Sequence, residues 1–175
     1  MANRRSFIAG LLATGLMPKP TWADAGSPAY LSACKAPDGR YVLCGLTATA
    51  AITFEIALPD RGHAAAAHPT TPEAVAFARR PGTYAIVLDC RGGQTKARLE
   101  APVGRHFYGH GTFSADGGLL FTTENDYEAA AGIIGIWDVQ DDYVRIGEFS
   151  CGGVGPHDIK LMPDGKTLVV ANGGI

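Results

Sequence analysis

Three histidines are evenly spaced along the sequence. His63, His110 and His157 lie 47 residues apart, and a fixed spacing of this kind places residues at equivalent positions of a structural repeat. Neutral imidazoles bind iron, copper or zinc, and a nearby carboxylate often completes the set of ligands. The middle repeat supplies two carboxylates, those of Glu124 and Asp126. The sequence therefore predicts a transition-metal site, for iron or copper, formed by these five residues.

A structural role for His110 is an alternative. In WD-type repeats, a Gly-His pair before the first strand of a blade bonds to a Ser or Thr, a loop Asp and a Trp, because buried polar groups need partners. The repeat before it lacks both the Asp and the Trp, so this network does not account for His63. The middle repeat contains all the required residues: Gly109-His110, Thr122 or Thr123, Asp126 and Trp137.

Several arginines suggest a second, anionic ligand. Guanidinium groups bind carboxylates by paired hydrogen bonds, so Arg79, Arg80 and Arg105 suit a carboxylate or a ferric chelate. They could instead be ordinary loop arginines that bond to carbonyl groups. The predicted ligand-binding residues are Arg61, Arg79, Arg80, Arg105, His106, Asn125 and Asn172.

The elements that must position these residues are short strands. The same shift along the chain places Asp116-Gly117 on Asp164-Gly165 within one residue, and the apolar run 119–121 on 168–170. A repeat of about 40 to 50 residues with several short strands is typical of a β-propeller, one blade per repeat. No segment has sustained helical periodicity. We expect an all-β fold, a β-propeller of seven blades when complete.

Propeller connections alternate between two faces, which assigns the candidate residues to one of them. The loop before a first strand and the loop between the second and third strands share a face, called here the upper face. All the candidate residues fall on it, as does Asp158, whereas the Asp-Gly turns fall below. First strands line the central channel, so the three histidines are expected at its upper mouth.

Residues 1–25 have the features of an export signal. Arg4-Arg5 begins a twin-arginine pattern, a weakly apolar stretch follows, and Ala23-Asp24-Ala25 fits a cleavage site. An ordinary secretory signal or an uncleaved anchor is the alternative, although the segment is too short to span a membrane. We expect a twin-arginine signal peptide over 1–25, propeller blades over 26–175 and a periplasmic location.

The strand pattern predicts an incomplete ring. Only three strands precede His63, and the last repeat stops two strands short of a blade. An open propeller exposes unpaired strand edges. The chain is therefore expected to cover about the first half of a propeller whose C-terminal part is missing.

Charge and cysteine content limit the partners. The formal net charge is −2 and no basic run occurs, which argues against nucleic acid or an anionic membrane as a partner. The four cysteines match no metal or redox motif. Cys34 and Cys44 are expected either to face each other across a hairpin or to be buried free thiols.

Several longer motifs are distinctive. They are Arg61-Gly62-His63, Arg79-Arg80-Pro81-Gly82-Thr83, residues 104–111, Thr123-Glu124-Asn125-Asp126-Tyr127, Gly155-Pro156-His157 and residues 170–174. These motifs resemble the domain of unknown function fifteen-thirteen, whose members are similar to periplasmic propellers exported by the twin-arginine route, often encoded beside imelysin-type proteins and iron-uptake components. The resemblance implies an association with iron and with periplasmic iron-handling proteins, and it implies no catalytic residues.

Three functions are compatible with these residues. The first is a periplasmic propeller that binds a metal or a small anionic metal complex at the upper mouth of the channel, as an accessory to iron uptake or handling. The second is a metal-dependent hydrolase or oxidoreductase in which the cluster activates water. The third is a non-catalytic scaffold that holds a protein partner. No nucleophile motif is present, so the sequence leans away from an enzyme.

Overall fold

The chain folds almost entirely into β-strands. A computed structural model describes residues 19–79 and 82–173, so the twin-arginine motif and Arg80 lie outside the described residues. A short 3-10 helix, Trp22–Ala25, precedes the strands. The strands of the described residues are β1 (Tyr30–Lys35), β2 (Tyr41–Leu46), β3 (Ile52–Leu58), β4 (Gly62–Ala67), β5 (Glu73–Ala78), β6 (Tyr84–Asp89), β7 (Gln94–Glu100), β8 (Arg105–Phe113), β9 (Leu119–Asp126), β10 (Ala131–Asp138), β11 (Val144–Ser150), β12 (Pro156–Leu161) and β13 (Leu168–Asn172).

Consecutive strands form four sheets. Their orders are β1-β2-β3, β4-β5-β6-β7, β8-β9-β10-β11 and β12-β13, and neighbouring strands are antiparallel. The first strands of the last three sheets lie side by side, with β8 between β4 and β12. Repeated antiparallel sheets of this kind are propeller-like. The predicted all-β fold, with one sheet per repeat, is confirmed.

The apolar pattern of each strand matches its place in its sheet. Residues 85–88 of β6 are all buried, because both faces of a middle strand are covered by other parts of the fold. The outer strand β7 keeps only Leu99 buried, and its polar side chains face solvent. Tight turns join the strands, and the predicted turn at Asp116-Gly117 has Gly117 at φ 77°, a conformation that favours glycine.

An aromatic cluster joins the second sheet to the third. The ring of Phe107 lies 6.3 Å from that of Phe77 and 6.1 Å from that of Trp137, and all three side chains are buried. Burying a side chain of this size contributes about 1.5–3 kcal/mol. The cluster fixes β8 relative to the second sheet, and thereby fixes the backbone that carries His110.

A further histidine, His68, has a structural role on the lower face. Its Nδ1 accepts a hydrogen bond from the backbone N–H of Thr71 at 3.0 Å, and its Nε2 lies 3.1 Å from the carbonyl oxygen of Gly117. Burial lowers the pKa of His68, which favours the neutral ring that this pair of bonds requires. His68 thus ties the β4–β5 turn to the third sheet.

The residues around the predicted cleavage site contact the folded chain. The indole N–H of Trp22 donates to the carbonyl oxygen of His68 at 2.8 Å, and Ala25 is buried. Cleavage after Ala25 stays a prediction. In the described residues, no helix combines the length and apolar character needed to cross a membrane.

Candidate metal centre

The fold brings the three evenly spaced histidines together. His63 is on β4, His110 on β8 and His157 on β12, and the ring centroids are 5.0 Å (His63 to His110), 5.5 Å (His110 to His157) and 6.1 Å (His63 to His157) apart. One nitrogen of each ring lies within 4.8 Å of the other two. Metal–nitrogen bonds of about 2.0–2.1 Å in a tetrahedral set place such nitrogens roughly 3.4 Å apart. Small ring rotations would therefore bring all three to bonding distance of one ion.

Each of these histidines lies where its strand is irregularly paired. The ladder to the next strand shifts register between Gly62 and Ala65, between Phe107 and Gly111, and between Pro156 and Asp158. Bulges of this kind redirect side chains and are frequent beside functional sites. In the sequence, this irregular pairing is indicated by the Gly or Pro that precedes each histidine, because these residues weaken regular strand pairing.

Gly109 allows His63 to approach β8. Its φ is 100°, and a Cβ atom at this position would lie 2.4 Å from Cδ2 of His63. A larger residue would therefore both strain the backbone and displace the imidazole. The Gly-His pair of the middle repeat thus makes room for the histidine of the preceding one.

Asp158 orients His110. Its Oδ1 lies 3.1 Å from Nδ1 of His110 and 3.4 Å from Nζ of Lys160. A carboxylate at Nδ1 keeps the proton there and leaves the Nε2 lone pair available for a metal. Burial lowers the pKa of His110, and Asp158 opposes that shift. At neutral pH the ring is therefore in its metal-binding form.

We expect Asp158→Ala to weaken Zn²⁺ binding by about 10- to 100-fold, because outer partners that orient a ligand have effects of this size. Titration calorimetry with Zn²⁺ measures the affinity. Lys160→Ala is the matched control, since it removes the other contact of the same carboxylate and should leave the affinity nearly unchanged. Equal Zn²⁺ affinity in wild type and Asp158→Ala would contradict this role.

The structure does not bring Glu124 to the histidines, contrary to the metal-ligand prediction. Its carboxylate is fully buried and accepts hydrogen bonds from Nη1 and Nη2 of Arg145 at 2.7 and 3.1 Å. Thr122 donates a third hydrogen bond at 3.0 Å. Burial raises the pKa of Glu124, and Arg145 opposes that shift. Both carboxylate oxygens are therefore already engaged in a structural network.

Asp126 also lies outside the cluster. Its Oδ1 accepts a hydrogen bond from the backbone N–H of Ala129 at 2.9 Å, within the β9–β10 turn. Among residues 19–79 and 82–173, the group of side chains placed to hold a metal consists of the three histidines.

The polar network expected around His110 has different members. The indole of Trp137 donates to Thr122 Oγ1 at 2.9 Å, so the network leads to Glu124 and Arg145 rather than to the His110 ring. Thr123 reaches only the backbone carbonyl of His110, at 3.1 Å. The sequence provides the correct Thr and Trp, but the acidic member is Glu124 in place of Asp126.

Arg105 belongs to the same ion-pair network. Its Nη2 donates to Oε1 of Glu148 at 2.8 Å, and its Nη1 lies 3.8 Å from Oε2 of Glu124. Hydrogen bonds from Arg105 and Arg145 lower the pKa of Glu148 to about 2. The guanidinium of Arg105 is thus occupied by protein carboxylates.

Three other predicted ligand-binding residues also have partners within the protein. The His106 ring lies 5.3 Å from that of Tyr127. Asn125 accepts a hydrogen bond from the backbone N–H of Gly155 at 2.9 Å, and Asn172 accepts one from the thiol of Cys151 at 3.0 Å. The two asparagines hold loops of the third and fourth sheets in place.

Two cavities adjoin the histidine cluster. One, of about 100 Å³, is lined by His63, Arg79, Tyr108 and His157. The other, of about 430 Å³, also reaches His63 and Arg79 and is lined in addition by the cations Arg61 and Lys35. The described residues that line it include no acidic one. The backbone N–H of Arg79 donates to the carbonyl of Arg61 at 3.0 Å, which holds the two arginines side by side. The sequence did not point to Lys35, because it belongs to a different sheet.

Comparison with known proteins identifies the family. Residues 56–175 match the model of a family described as protein of unknown function (DUF1513), and the chain belongs to that family. No curated protein matches the chain.

Two solved structures share the fold. A protein of unknown function from Bacteroides caccae is similar with a TM-score of 0.54 and 16% identity, over 80% of this chain and 49% of that one. A chain of the mitotic checkpoint complex is similar with a TM-score of 0.58 and 14% identity, over 82% of this chain and 44% of that one. The chain therefore spans about half the length of the solved structures it matches.

Proposed function

We propose that this protein is a periplasmic β-propeller, of seven blades when complete, that binds a transition metal as a small anionic complex at the three-histidine cluster. Its role is an accessory one in iron uptake or handling. The observation that carries the proposal is the meeting of three imidazoles, one from each of three successive sheets, beside a cavity lined by cations. The sequence features of residues 1–25 support export to the periplasm.

The ligand set favours a transition metal. Imidazole suits iron, copper and zinc, whereas Mg²⁺ and Ca²⁺ prefer oxygen ligands. Three protein ligands leave at least one coordination position open for an exogenous group. His157 is exposed and His63 and His110 are half-buried, so the open position is reached from solvent.

The neighbouring cavity favours an anionic partner for the metal. Lys35, Arg61 and Arg79 line it together with His63, so a carboxylate that contacts these cations can lie close to the metal. Arginine binds carboxylates with two parallel hydrogen bonds. This arrangement suits a metal bound by a small polycarboxylate, in which part of the chelator contacts the protein and part contacts the ion.

We expect the purified chain to bind one equivalent of Cu²⁺, with nitrogen hyperfine couplings in its electron paramagnetic resonance spectrum. Citrate should form a ternary complex that persists through gel filtration, and the double variant Arg61→Ala, Arg79→Ala should retain Cu²⁺ but lose citrate. A chain that takes up no Cu²⁺ after dialysis would refute the metal site. Citrate retention by the double variant equal to that of wild type would refute the anion site alone.

A further inference from the structure

Two cysteines of the first sheet lie in contact across neighbouring strands. Cys34 is on β1 and Cys44 on β2, and their sulfur atoms are 3.6 Å apart. Cys34 pairs in register with Val42 and Cys44 with Ser32, so the two cysteines are diagonal neighbours on the same face of the sheet. A disulfide requires about 2.05 Å between the sulfurs, which leaves about 1.5 Å to be closed by side-chain rotation.

We propose that Cys34 and Cys44 are an oxidisable pair that closes into a disulfide linking β1 to β2, by thiol–disulfide exchange with a disulfide oxidant. This inference does not depend on the metal site. The disulfide would stabilise the position of β1, which is an edge strand of its three-stranded sheet. An edge strand has hydrogen-bonded neighbours on one side only, and a covalent link to β2 holds it in place.

Exposure determines which sulfur reacts first. Cys34 is exposed, whereas Cys44 is buried, and burial raises the pKa of Cys44 to about 11. The Cys34 thiolate therefore attacks a sulfur of the oxidant, which forms a mixed disulfide and releases one thiolate. Cys44 then transfers its proton to the departing thiolate and attacks the Cys34 sulfur, which releases the second. Two cysteine thiols are oxidised to one disulfide, and the oxidant is reduced to two thiols.

The other two cysteines are built into different surroundings. Cys90 is buried, and burial raises its pKa to about 12. The thiol of Cys151 donates to Asn172 in the fourth sheet. Among the described residues, the sulfur–sulfur contact is that of Cys34 and Cys44, so oxidation should be confined to this pair.

One member of the pair, Cys34, also lies on the wall of the cavity lined by cations. His63 lines the same cavity. Thiolates bind soft metals such as Cu⁺ tightly, so a free Cys34 would compete with the imidazoles for a reduced metal. Closing the disulfide removes this competing ligand from the cavity wall.

The experiment treats the purified full chain with oxidised glutathione under native conditions and counts thiols after denaturation. We expect the count to fall from the four of the sequence to two. Trypsin cleaves after Lys35 and Arg40, so the disulfide should join two tryptic peptides, detected by mass and separated by reduction. The oxidised protein should also melt at a higher temperature than the reduced protein.

Matched variants test the assignment. Cys34→Ser, at an exposed position, should leave all three remaining thiols free and abolish the difference in melting temperature, whereas Cys151→Ser should still form the disulfide. Persistence of four thiols in wild type would overturn the proposal. So would a disulfide that contains Cys90 or Cys151.

Discussion

Replacing His110 by alanine is expected to abolish stoichiometric metal binding, with Zn²⁺ affinity reduced by more than about 100-fold. His110 is on the middle strand of the three, and its ring is the nearest neighbour of each of the other two. The two remaining rings, those of His63 and His157, are the most distant pair at 6.1 Å. A two-histidine site has neither the ligand number nor the geometry of a stable metal centre. Equilibrium dialysis followed by elemental analysis measures the bound metal.

His106→Ala is the matched control for this experiment. His106 is on the same strand, is also half-buried, and contacts Tyr127 rather than the cluster. Its replacement should leave the metal stoichiometry at one. Circular dichroism of both variants establishes that the strands are retained. Full metal content in a folded His110→Ala protein would remove the histidine cluster from consideration as the site.

The pH dependence of binding should follow the histidines. A metal displaces the proton of an imidazolium, so affinity falls as the pH drops through the pKa of the ligands, about 6.5 for an unperturbed histidine. Burial lowers the pKa of His110. This histidine therefore stays neutral to a lower pH than an unperturbed histidine, which favours metal binding in mildly acidic solution.

The repeat determined how much of this site was predictable from sequence. The even spacing of His63, His110 and His157 predicted that they would meet, and the structure brings them together because β4, β8 and β12 lie side by side and carry them at equivalent positions. Strand positions were predicted as well, since apolar runs between Gly, Pro and Asp turns have a period that is visible in the sequence. The apolar run 119–121, for example, lies in β9 (Leu119–Asp126).

The partners of the polar side chains were not predictable in the same way. Asp158 contacts His110 from the next sheet, and Arg145 contacts Glu124 from β11, a strand not adjacent to β9. Neither contact follows from spacing, because each depends on side-chain direction at a bulge or across a sheet. The sequence therefore places the carboxylate of Glu124 at the metal, whereas in the fold the half-buried Arg145 binds it.

Because Glu124 belongs to a structural network and not to the metal cluster, replacing it is expected to reduce the stability of the fold. We expect Glu124→Ala to lower the free energy of unfolding by about 1–3 kcal/mol, because its removal leaves buried hydrogen-bond donors without their acceptor while Arg145 keeps its ion pair with Glu148. Arg145 would lose two hydrogen bonds and Thr122 one. The neighbouring Gly135 has no space for a Cβ atom beside this carboxylate, which indicates how tightly the network is packed.

The variant Glu148→Ala tests whether burial of the carboxylate determines how much stability is lost. Glu148 bonds to Arg105 and Arg145, as Glu124 does to Arg145, but its side chain is 40% exposed whereas that of Glu124 is 0% exposed. Exposed ion pairs contribute about 0–1 kcal/mol, so this variant should unfold at nearly the wild-type urea concentration. Urea unfolding followed by tryptophan fluorescence measures both variants, since Trp137 is part of the network. Equal losses in the two variants would show that burial is not the cause. At a temperature where Glu124→Ala remains folded, its Zn²⁺ affinity should equal that of wild type, because the carboxylate stabilises the third sheet and the three imidazoles bind the ion.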